Sequence, residues 1–192
     1  MTTIAVVRKN GVAAIAAESL TTFGDTRLGA GYKSEHDKIL HIHDAFIGVC
    51  GSSAHHLVLG SALAKLDDVR LGSRLEVFDT FRRLHPILKE HAYLNPKEDE
   101  DDPYESSQIT ALIANANGIY GVYSYREVFE FDRYWAIGSG RSFALGAMFA
   151  AYDKLKSAAD IARVGVEAGI EFDTASSGPI VIHTIKLAKD SK

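Results

Sequence analysis

The sequence predicts an α+β fold in which two packed β-sheets lie between two layers of helices, a four-layer αββα sandwich. Three observations lead to this fold class. The predicted elements run in order as strands, a helix pair, strands, a second helix pair and a last strand. Hydrophobic residues make up 46% of the 192-residue chain, which is enough for a core of ordinary size. Two sheets that pack against each other need helices on their outer faces, which gives this order of layers.

Two β-hairpins are predicted at the start of the chain. Their strands cover residues 4–7 with 12–17, and residues 38–43 with 45–50. The first hairpin turns at Asn10-Gly11, a dipeptide that strongly favours a two-residue turn, and the second turns at Asp44. Residues 19–38 lack sustained periodicity and predict an extended loop or irregular strands. Four strands therefore precede the first helix.

Helix pairs and further strands are predicted in the rest of the chain. Four helices are predicted to begin at or directly after a serine. These starts are Ser52 or Ser53, the residue after Ser73, Ser139 or Ser142, and Ser157. Strands are predicted at residues 109–114, 118–123, 127–131 and 134–137, which we expect to form a second sheet, and at residues 179–187. Residues 95–103 include five consecutive carboxylates and predict a solvated loop. We expect residues 1–192 to form one domain.

Charge, cysteine content and hydropathy bear on partners and location. The formal net charge of −4 provides no basic field for nucleic acid or anionic lipid, so we expect neither. A single cysteine, Cys50, cannot form an intrachain disulfide, and we expect a cytoplasmic protein. No apolar run approaches the roughly 20 residues that span a bilayer, and we expect neither a membrane anchor nor a signal peptide.

The second residue offers an unusual chemistry. If Met1 is removed, Thr2 carries both a nucleophilic hydroxyl and a free α-amine. An α-amine titrates near ~7.7–8.0, so a modest fall of its pKa makes it a competent general base at neutral pH. Met-Thr-Thr is also an ordinary start of a chain, so Thr2 alone does not identify a catalyst.

Four separated segments resemble one protein family, in the family's own order. These segments are residues 2–7 with 11 and 15–19, residues 38–42 with 48–52, residues 135–140 with 144–147, and residues 173–178. Together they resemble proteasome β-subunits and HslV-type peptidases, and the overall pattern is most similar to a betaproteobacterial proteasome homologue. The resemblance implies the N-terminal-nucleophile hydrolase fold and a threonine-type peptidase.

The resemblance assigns catalytic roles residue by residue. Thr2 would be the nucleophile and base, and Glu18 would stand where most members of the family have Asp. The catalytic lysine falls on Lys38 if its strand is matched, whereas counting from the N-terminus points to Lys33. We favour Lys38, because its place at the start of an apolar strand fixes where the ammonium points. That ammonium would favour the deprotonated forms of the Thr2 hydroxyl and amine.

The remaining site residues come from the same resemblance. Ser139, Asp173 and Ser176 would surround the α-amine, and the Gly51 N–H would stabilise an oxyanion. An extended peptide would pair with the backbone of Thr22, Gly51 and Ser53, and the first specificity pocket would be bordered by Thr21 and Val49. Taken singly, these residues also fit structural roles: Glu18 with Lys38 as a surface ion pair, Ser139 as a helix cap, and Asp173 with Ser176 as a self-bonded turn.

No metal or cofactor is expected. His41, His43, His55 and His56 lie close in sequence, but no cysteine or carboxylate joins them at the spacing of a structural zinc site. The chain also contains no P-loop, dinucleotide-binding fingerprint or Gly-x-Ser-x-Gly motif.

The main hypothesis is a self-compartmentalised threonine endopeptidase that degrades unfolded polypeptides. By resemblance it would be a homo-oligomer of two stacked rings with twelve to fourteen subunits, fourteen being favoured, and an unfoldase ATPase would be a compatible partner. Two alternatives stay open. One is an N-terminal-nucleophile amidase that acts on a small amide. The other is a catalytically silent ring-forming scaffold or binding protein that retains Met1.

Overall fold

The computed structural model describes residues 2–97 and 101–188. Its strands are β1 Thr3–Lys9, β2 Val12–Ala17, β3 Thr21–Phe23, β4 Thr26–Leu28, β5 Ile39–Ile42, β6 Ala45–Cys50, β7 Thr110–Ala114, β8 Ile119–Val122, β9 Val128–Phe131, β10 Tyr134–Gly138 and β11 Val181–Lys186. Its helices are α1 Ala54–Leu63, α2 Arg74–Ala92, α3 Arg141–Ala151 and α4 Ala158–Phe172, with a 3-10 turn at Ala30–Tyr32. None of the helices in these two ranges is both long and apolar enough to cross a membrane.

The described strands form two large antiparallel sheets and one small hairpin. Sheet I has the order β10-β1-β2-β11, and sheet II has the order β5-β6-β7-β8-β9. The hairpin pairs β3 with β4 and lies within the stretch for which the sequence predicted a loop or irregular strands. The first predicted hairpin is confirmed: Asn10 and Gly11 both have positive φ, as a two-residue turn of this kind requires.

Three groups of buried apolar side chains separate four layers. One group lies between sheets I and II and includes Ile4, Ile15 and Leu112. A second lies between sheet II and the pair α1–α2, and a third lies between sheet I and the pair α3–α4. The strands thus present alternate side chains to a helix layer and to the other sheet. The predicted αββα sandwich is confirmed.

The division of the strands between the sheets differs from the prediction. Residues 109–137 were expected to supply one sheet, but only β7, β8 and β9 join the β5–β6 hairpin. The next strand, β10, crosses to sheet I and pairs with β1, so that Gly138 lies opposite Thr3. The Arg8 N–H donates to the Arg133 carbonyl at 2.7 Å and fixes this crossing. The crossing brings the segment after β10 to the N-terminal end of β1.

The predicted helix starts also need correction. Helix α3 begins at Arg141 with Gly140 as its N-cap, not at Ser139 or Ser142, because the Ser139 hydroxyl is bonded elsewhere. Ser53 is the N-cap of α1 but makes no side-chain cap bond, whereas the Ser52 hydroxyl accepts from the Ala54 N–H at 3.3 Å. The predicted cap Ser157 accepts from the N–H three residues on, and so does Ser73, after which a helix was predicted to begin. The predicted acidic loop 95–103 lies partly outside the described residues, and Met1 lies wholly outside them.

Two glycines let the chain pack closely around the start of β1. A Cβ atom on Gly169 of α4 would lie 2.4 Å from the Thr3 hydroxyl oxygen, and one on Gly140 would lie 2.0 Å from it. Thr3 is fully buried between them, and its hydroxyl lies 2.7 Å from that of Ser176. The segment that carries Thr2 is therefore held by direct contact with the helix layer.

Gly169→Ala is expected to destabilise the fold by about 2–3 kcal/mol, because Thr3 and the α4 backbone must move apart. Gly146→Ala is the matched control. It lies in α3 with nothing within 4 Å of the added Cβ, and the gain in helix propensity should stabilise by up to about 1 kcal/mol. Urea unfolding followed by circular dichroism measures both. Equal midpoints for the two variants would contradict the close packing at Thr3.

Candidate active site

Three polar side chains meet at one end of the two-sheet sandwich. Thr2 directly precedes β1 and Glu18 directly follows β2, and the Glu18 N–H donates to the Thr3 carbonyl at 3.2 Å. Both residues therefore belong to sheet I. Lys38 directly precedes β5 of sheet II, and its carbonyl accepts from the Val49 N–H at 3.3 Å. The chain thus assembles the cluster from both sheets.

The Glu18 carboxylate is fully buried and fully hydrogen-bonded. Its Oε1 accepts from the Thr2 hydroxyl at 2.5 Å and also contacts the Lys38 ammonium. Its Oε2 accepts from the backbone N–H of Leu20 at 2.7 Å and of Ser177 at 3.1 Å. These four donors offset the cost of burying the charge. They also fix the carboxylate in contact with Lys38.

The Lys38 ammonium has an acceptor for each of its three protons. The acceptors are the Thr2 hydroxyl oxygen, Glu18 Oε1 and the Leu20 carbonyl. Because the side chain is only 16% exposed, this geometry holds the positive charge against the Thr2 oxygen. A cation at this place favours the alkoxide over the hydroxyl and thereby activates a nucleophile.

Lys33, the rival candidate, lies nearby but does not contact Thr2. Its ammonium donates to the Ser19 carbonyl at 2.7 Å and to the Thr21 hydroxyl at 3.1 Å. Burial lowers the pKa of Lys33, and the charge of Lys38 lowers it further, while Glu18 opposes the shift. Lys38, and not Lys33, therefore makes the contact with Thr2.

A second network surrounds the Thr2 nitrogen. Thr2 N donates to the Ser139 hydroxyl oxygen at 3.1 Å, and Ser139 donates to Asp173 Oδ2 at 2.7 Å. Ser176 also donates to Asp173 Oδ2 at 2.7 Å, and its hydroxyl meets that of Thr3. Ser139 is thus the direct neighbour of the nitrogen. Asp173 is linked to the nitrogen through Ser139, and Ser176 is linked to it through Asp173 and Ser139.

A cavity of about 460 Å³ opens beside the Thr2 hydroxyl. The predicted substrate-binding residues Thr21, Thr22, Val49 and Ser53 all line it. The other residues that line it are Thr2, Leu20, Lys33, Glu35, His36, Asp37, Lys38, Cys50, Gly51, Ser52, His56 and Leu57. Both Thr2 and the loop between β4 and β5 therefore face one space. Its volume lies within the usual range of ligand-binding clefts.

Val49 and Cys50 contribute to this cavity in different ways. The Val49 side chain packs in the core under α1 and α2, whereas Cys50 packs against the core between the sheets, close to Thr2. Side chains alternate along β6, so the neighbours Val49 and Cys50 point to opposite faces of sheet II. Burial raises the pKa of the Cys50 thiol to about 11. It is therefore a protonated thiol at neutral pH and a poor nucleophile.

The turn after β6 carries the predicted oxyanion donor. Gly51 has a φ of +121°, and the His55 ring packs so closely that a Cβ on Gly51 would lie 2.8 Å from it. Burial lowers the pKa of His55, which favours its neutral form. His56 Nε2 is buried without a hydrogen-bond partner.

Within residues 2–97 and 101–188, no group of His, Cys, Asp and Glu side chains is arranged to hold a metal ion.

Sequence reasoning missed three contributors to this site. The backbone N–H groups of Leu20 and Ser177 carry no signal in residue type, and Thr3 had been read only as part of a family motif. The match of residues 173–178 to a family turn was the one available pointer to Ser177.

Solved structures of known proteins resemble this chain over almost its whole length. Free BPH of Thiobacillus denitrificans is 40% identical with a TM-score of 0.92, and BPH in complex with epoxomicin is 39% identical with a TM-score of 0.91. Each alignment covers 98% of this chain and 100% of BPH. Eukaryotic HslV from Trypanosoma brucei is 23% identical with a TM-score of 0.69, over 96% of this chain and 99% of HslV, which is a likeness of fold. No protein-family model and no curated protein matches the sequence.

The fold and these likenesses define a proteasome-type N-terminal-nucleophile hydrolase, which is a class of peptidases. The chain belongs to the family of proteasome β-subunits and HslV, and within it is similar to the bacterial proteasome homologue BPH. This confirms the family resemblance of the four sequence segments.

Proposed function

We propose that the protein is a threonine endopeptidase whose nucleophile is Thr2, exposed as the N-terminal residue by removal of Met1. The observation that carries the proposal is the convergence of Lys38 and Glu18 on the Thr2 hydroxyl. An ammonium on the oxygen and a serine on the nitrogen of the same residue match the needs of a hydroxyl nucleophile that uses its own amine as base.

The proposed reaction begins when the Thr2 oxygen attacks a peptide carbonyl while its proton passes to the Thr2 amine. Lys38 stabilises the developing negative charge on the oxygen, and Ser139 with Asp173 orients the amine. The Gly51 N–H supports the oxyanion. The amine then protonates the leaving nitrogen, which gives an acyl ester on Thr2 that water hydrolyses.

An extended polypeptide is the substrate that suits the cavity. Thr21 and Thr22 belong to the short strand β3, and Gly51 and Ser53 line the same cavity. A peptide between these segments can pair with both as an added strand. Epoxomicin, which occupies BPH in one of the similar structures, is therefore a suitable probe for this chain.

The proposal includes a closed double ring that degrades unfolded polypeptides, with an unfoldase ATPase as a compatible partner. Large apolar side chains exposed on the helix layers support contacts between subunits; they include Leu57, Leu75, Phe78, Phe149 and Phe172. An interface of the obligate kind buries on the order of 2,000 Å² or more. Light scattering should give a mass of twelve to fourteen subunits, and a stable monomer at micromolar concentration would contradict the ring.

Turnover of a fluorogenic peptide tests the nucleophile. Wild-type protein with Met1 removed, as verified by intact mass, should cleave the peptide, whereas Thr2→Ala should reduce the rate at least about a thousandfold. Thr2→Ser, which keeps hydroxyl and amine, should retain measurable activity. A Thr2→Ala variant as active as the wild type would refute the threonine mechanism. Retention of Met1 in protein from its native host would favour the silent scaffold.

A further inference from the structure

A second contact joins the two sheets immediately beside Lys38. Asp37 precedes Lys38, and its Oδ1 accepts from the Ile39 N–H at 2.8 Å. Its Oδ2 lies 3.1 Å from His183 Nε2, which serves as donor when that nitrogen carries the proton. Ile39 belongs to sheet II and His183 to sheet I. The Asp37 carboxylate therefore bridges the sheets at the residue next to Lys38, and we refer to this contact as the Asp37–His183 bridge.

The His183 ring is held in place by stacking. Its centroid lies 4.5 Å from that of Phe46, and the two planes differ by 13°. Phe46 also stacks on His41 from its other face, with centroids 4.7 Å apart. Such stacked rings restrict rotation of the side chains. Phe46 of sheet II thus keeps Nε2 of His183 directed at Asp37.

The position of this bridge matters because the proposed catalytic group is divided between the sheets. Thr2 and Glu18 are held by sheet I, whereas Lys38 is held by sheet II. His183 pairs with Ile15 of β2, three residues before Glu18. The contact from Lys38 to Thr2 therefore depends on how the two sheets are placed relative to each other.

Asp37 constrains Lys38 on both sides. The bond from the Ile39 N–H to Oδ1 closes a small turn around Lys38 and restricts its backbone. The bond to His183 then holds that turn against sheet I. Errors of about 1 Å in the position of a reacting group can cost about a hundredfold in rate, so a device that fixes Lys38 has catalytic value.

We propose that Asp37 and His183 are positioning residues, which hold the Lys38 ammonium against the Thr2 hydroxyl by tying sheet II to sheet I. The proposal rests on the proposed function of Thr2. His183 does not touch the cavity or Thr2, so its effect on the reaction acts through Asp37 and Lys38.

The decisive variant is His183→Phe, which keeps a flat ring on Phe46 and removes the donor to Asp37. We expect kcat to fall about tenfold with KM within about twofold, because His183 is not among the residues that line the cavity, whereas its loss displaces Lys38. The acidic limb of kcat/KM should move to higher pH. A nearby cation disfavours protonation of an amine, so displacement of Lys38 should leave the Thr2 amine protonated up to a higher pH.

Two further variants distinguish the hydrogen bond from ring packing. His183→Gln places an amide N–H near the position of Nε2 and should restore kcat to within about threefold of the wild type. His41→Phe makes the same chemical change on the opposite face of Phe46, away from Asp37, and should leave kcat unchanged. Equal losses in His183→Phe and His41→Phe, or no recovery in His183→Gln, would overturn the proposal.

Crystal structures of the wild type and His183→Phe provide a readout that needs no turnover. The bridge predicts that the distance from Lys38 Nζ to Thr2 Oγ1 exceeds about 3.5 Å in the variant, beyond hydrogen-bond range. An unchanged contact would overturn the bridge even if the protein is an active peptidase, and a lengthened one would support it even if peptide turnover fails. If His183→Phe does not fold, Asp37→Ala, which removes the acceptor for His183 from a partly exposed position, decides by the same distance.

Discussion

Lys38→Ala is expected to reduce peptide turnover at least about a thousandfold in protein that still folds and assembles. It should also lose about 3 kcal/mol of stability, because buried Glu18 loses its counter-ion. Lys38 is the cation on the Thr2 hydroxyl oxygen, and no other described lysine or arginine donates a hydrogen bond to that atom. Without it, the oxygen has no positive charge to favour its deprotonated form. Glu18 Oε1 then keeps the hydrogen bond from the Thr2 hydroxyl but loses the one from Lys38. Steady-state kinetics and light scattering on the same sample measure the two properties separately.

Lys33→Ala is the matched control for Lys38→Ala. Lys33 is a partly exposed lysine of the same cavity, with bonds to Ser19 and Thr21 but none to Thr2. Its loss should reduce turnover by less than about tenfold. Equal losses in the two variants, or a greater loss for Lys33→Ala, would show that the catalytic lysine has been assigned to the wrong position.

Glu18→Gln is expected to reduce both activity and stability. The change leaves the Lys38 ammonium without its buried counter-ion and turns an amide N–H toward it. Breaking a buried pair of this kind costs about 3 kcal/mol, the lower end of the usual range because Lys38 keeps some contact with water. Turnover should fall about a hundredfold as the lysine leaves the Thr2 oxygen.

Denaturant unfolding and kinetics on Glu18→Gln check both effects. Glu90→Gln is the control, since Glu90 is an exposed carboxylate on α2 away from the cavity. It should change the free energy of unfolding by no more than about 0.5 kcal/mol. A Glu18→Gln variant as stable and active as Glu90→Gln would contradict a buried Glu18–Lys38 pair at the nucleophile.

The elements that the sequence predicted well are those set by local patterns. Asn10-Gly11 between two apolar runs predicted the first hairpin, and the order of strands and helix pairs predicted the layers, because each depends on neighbouring residues. The sheet to which β10 belongs was predicted wrongly. A five-residue strand carries periodicity but does not specify its partner, and here the partner lies more than a hundred residues away.

The site shows the same limit. Thr2, Glu18 and Lys38 were chosen from a family resemblance, and the structure brings all three together. Ser139 was also considered as a helix cap, a role that the structure excludes because its hydroxyl bonds to Asp173, thirty-four residues away. The backbone donors to Glu18 could not be predicted, since every non-proline residue has an N–H and only the fold decides which ones converge.

Identification of the residue that forms a covalent bond with an electrophile tests the central claim most directly. Processed protein treated with epoxomicin, digested and analysed by tandem mass spectrometry should carry the adduct on the N-terminal peptide, at Thr2. An electrophile able to react with both the hydroxyl and the amine should block Edman sequencing of that peptide, because both groups belong to one residue. An adduct on another residue, or no adduct on fully processed protein, would contradict the account.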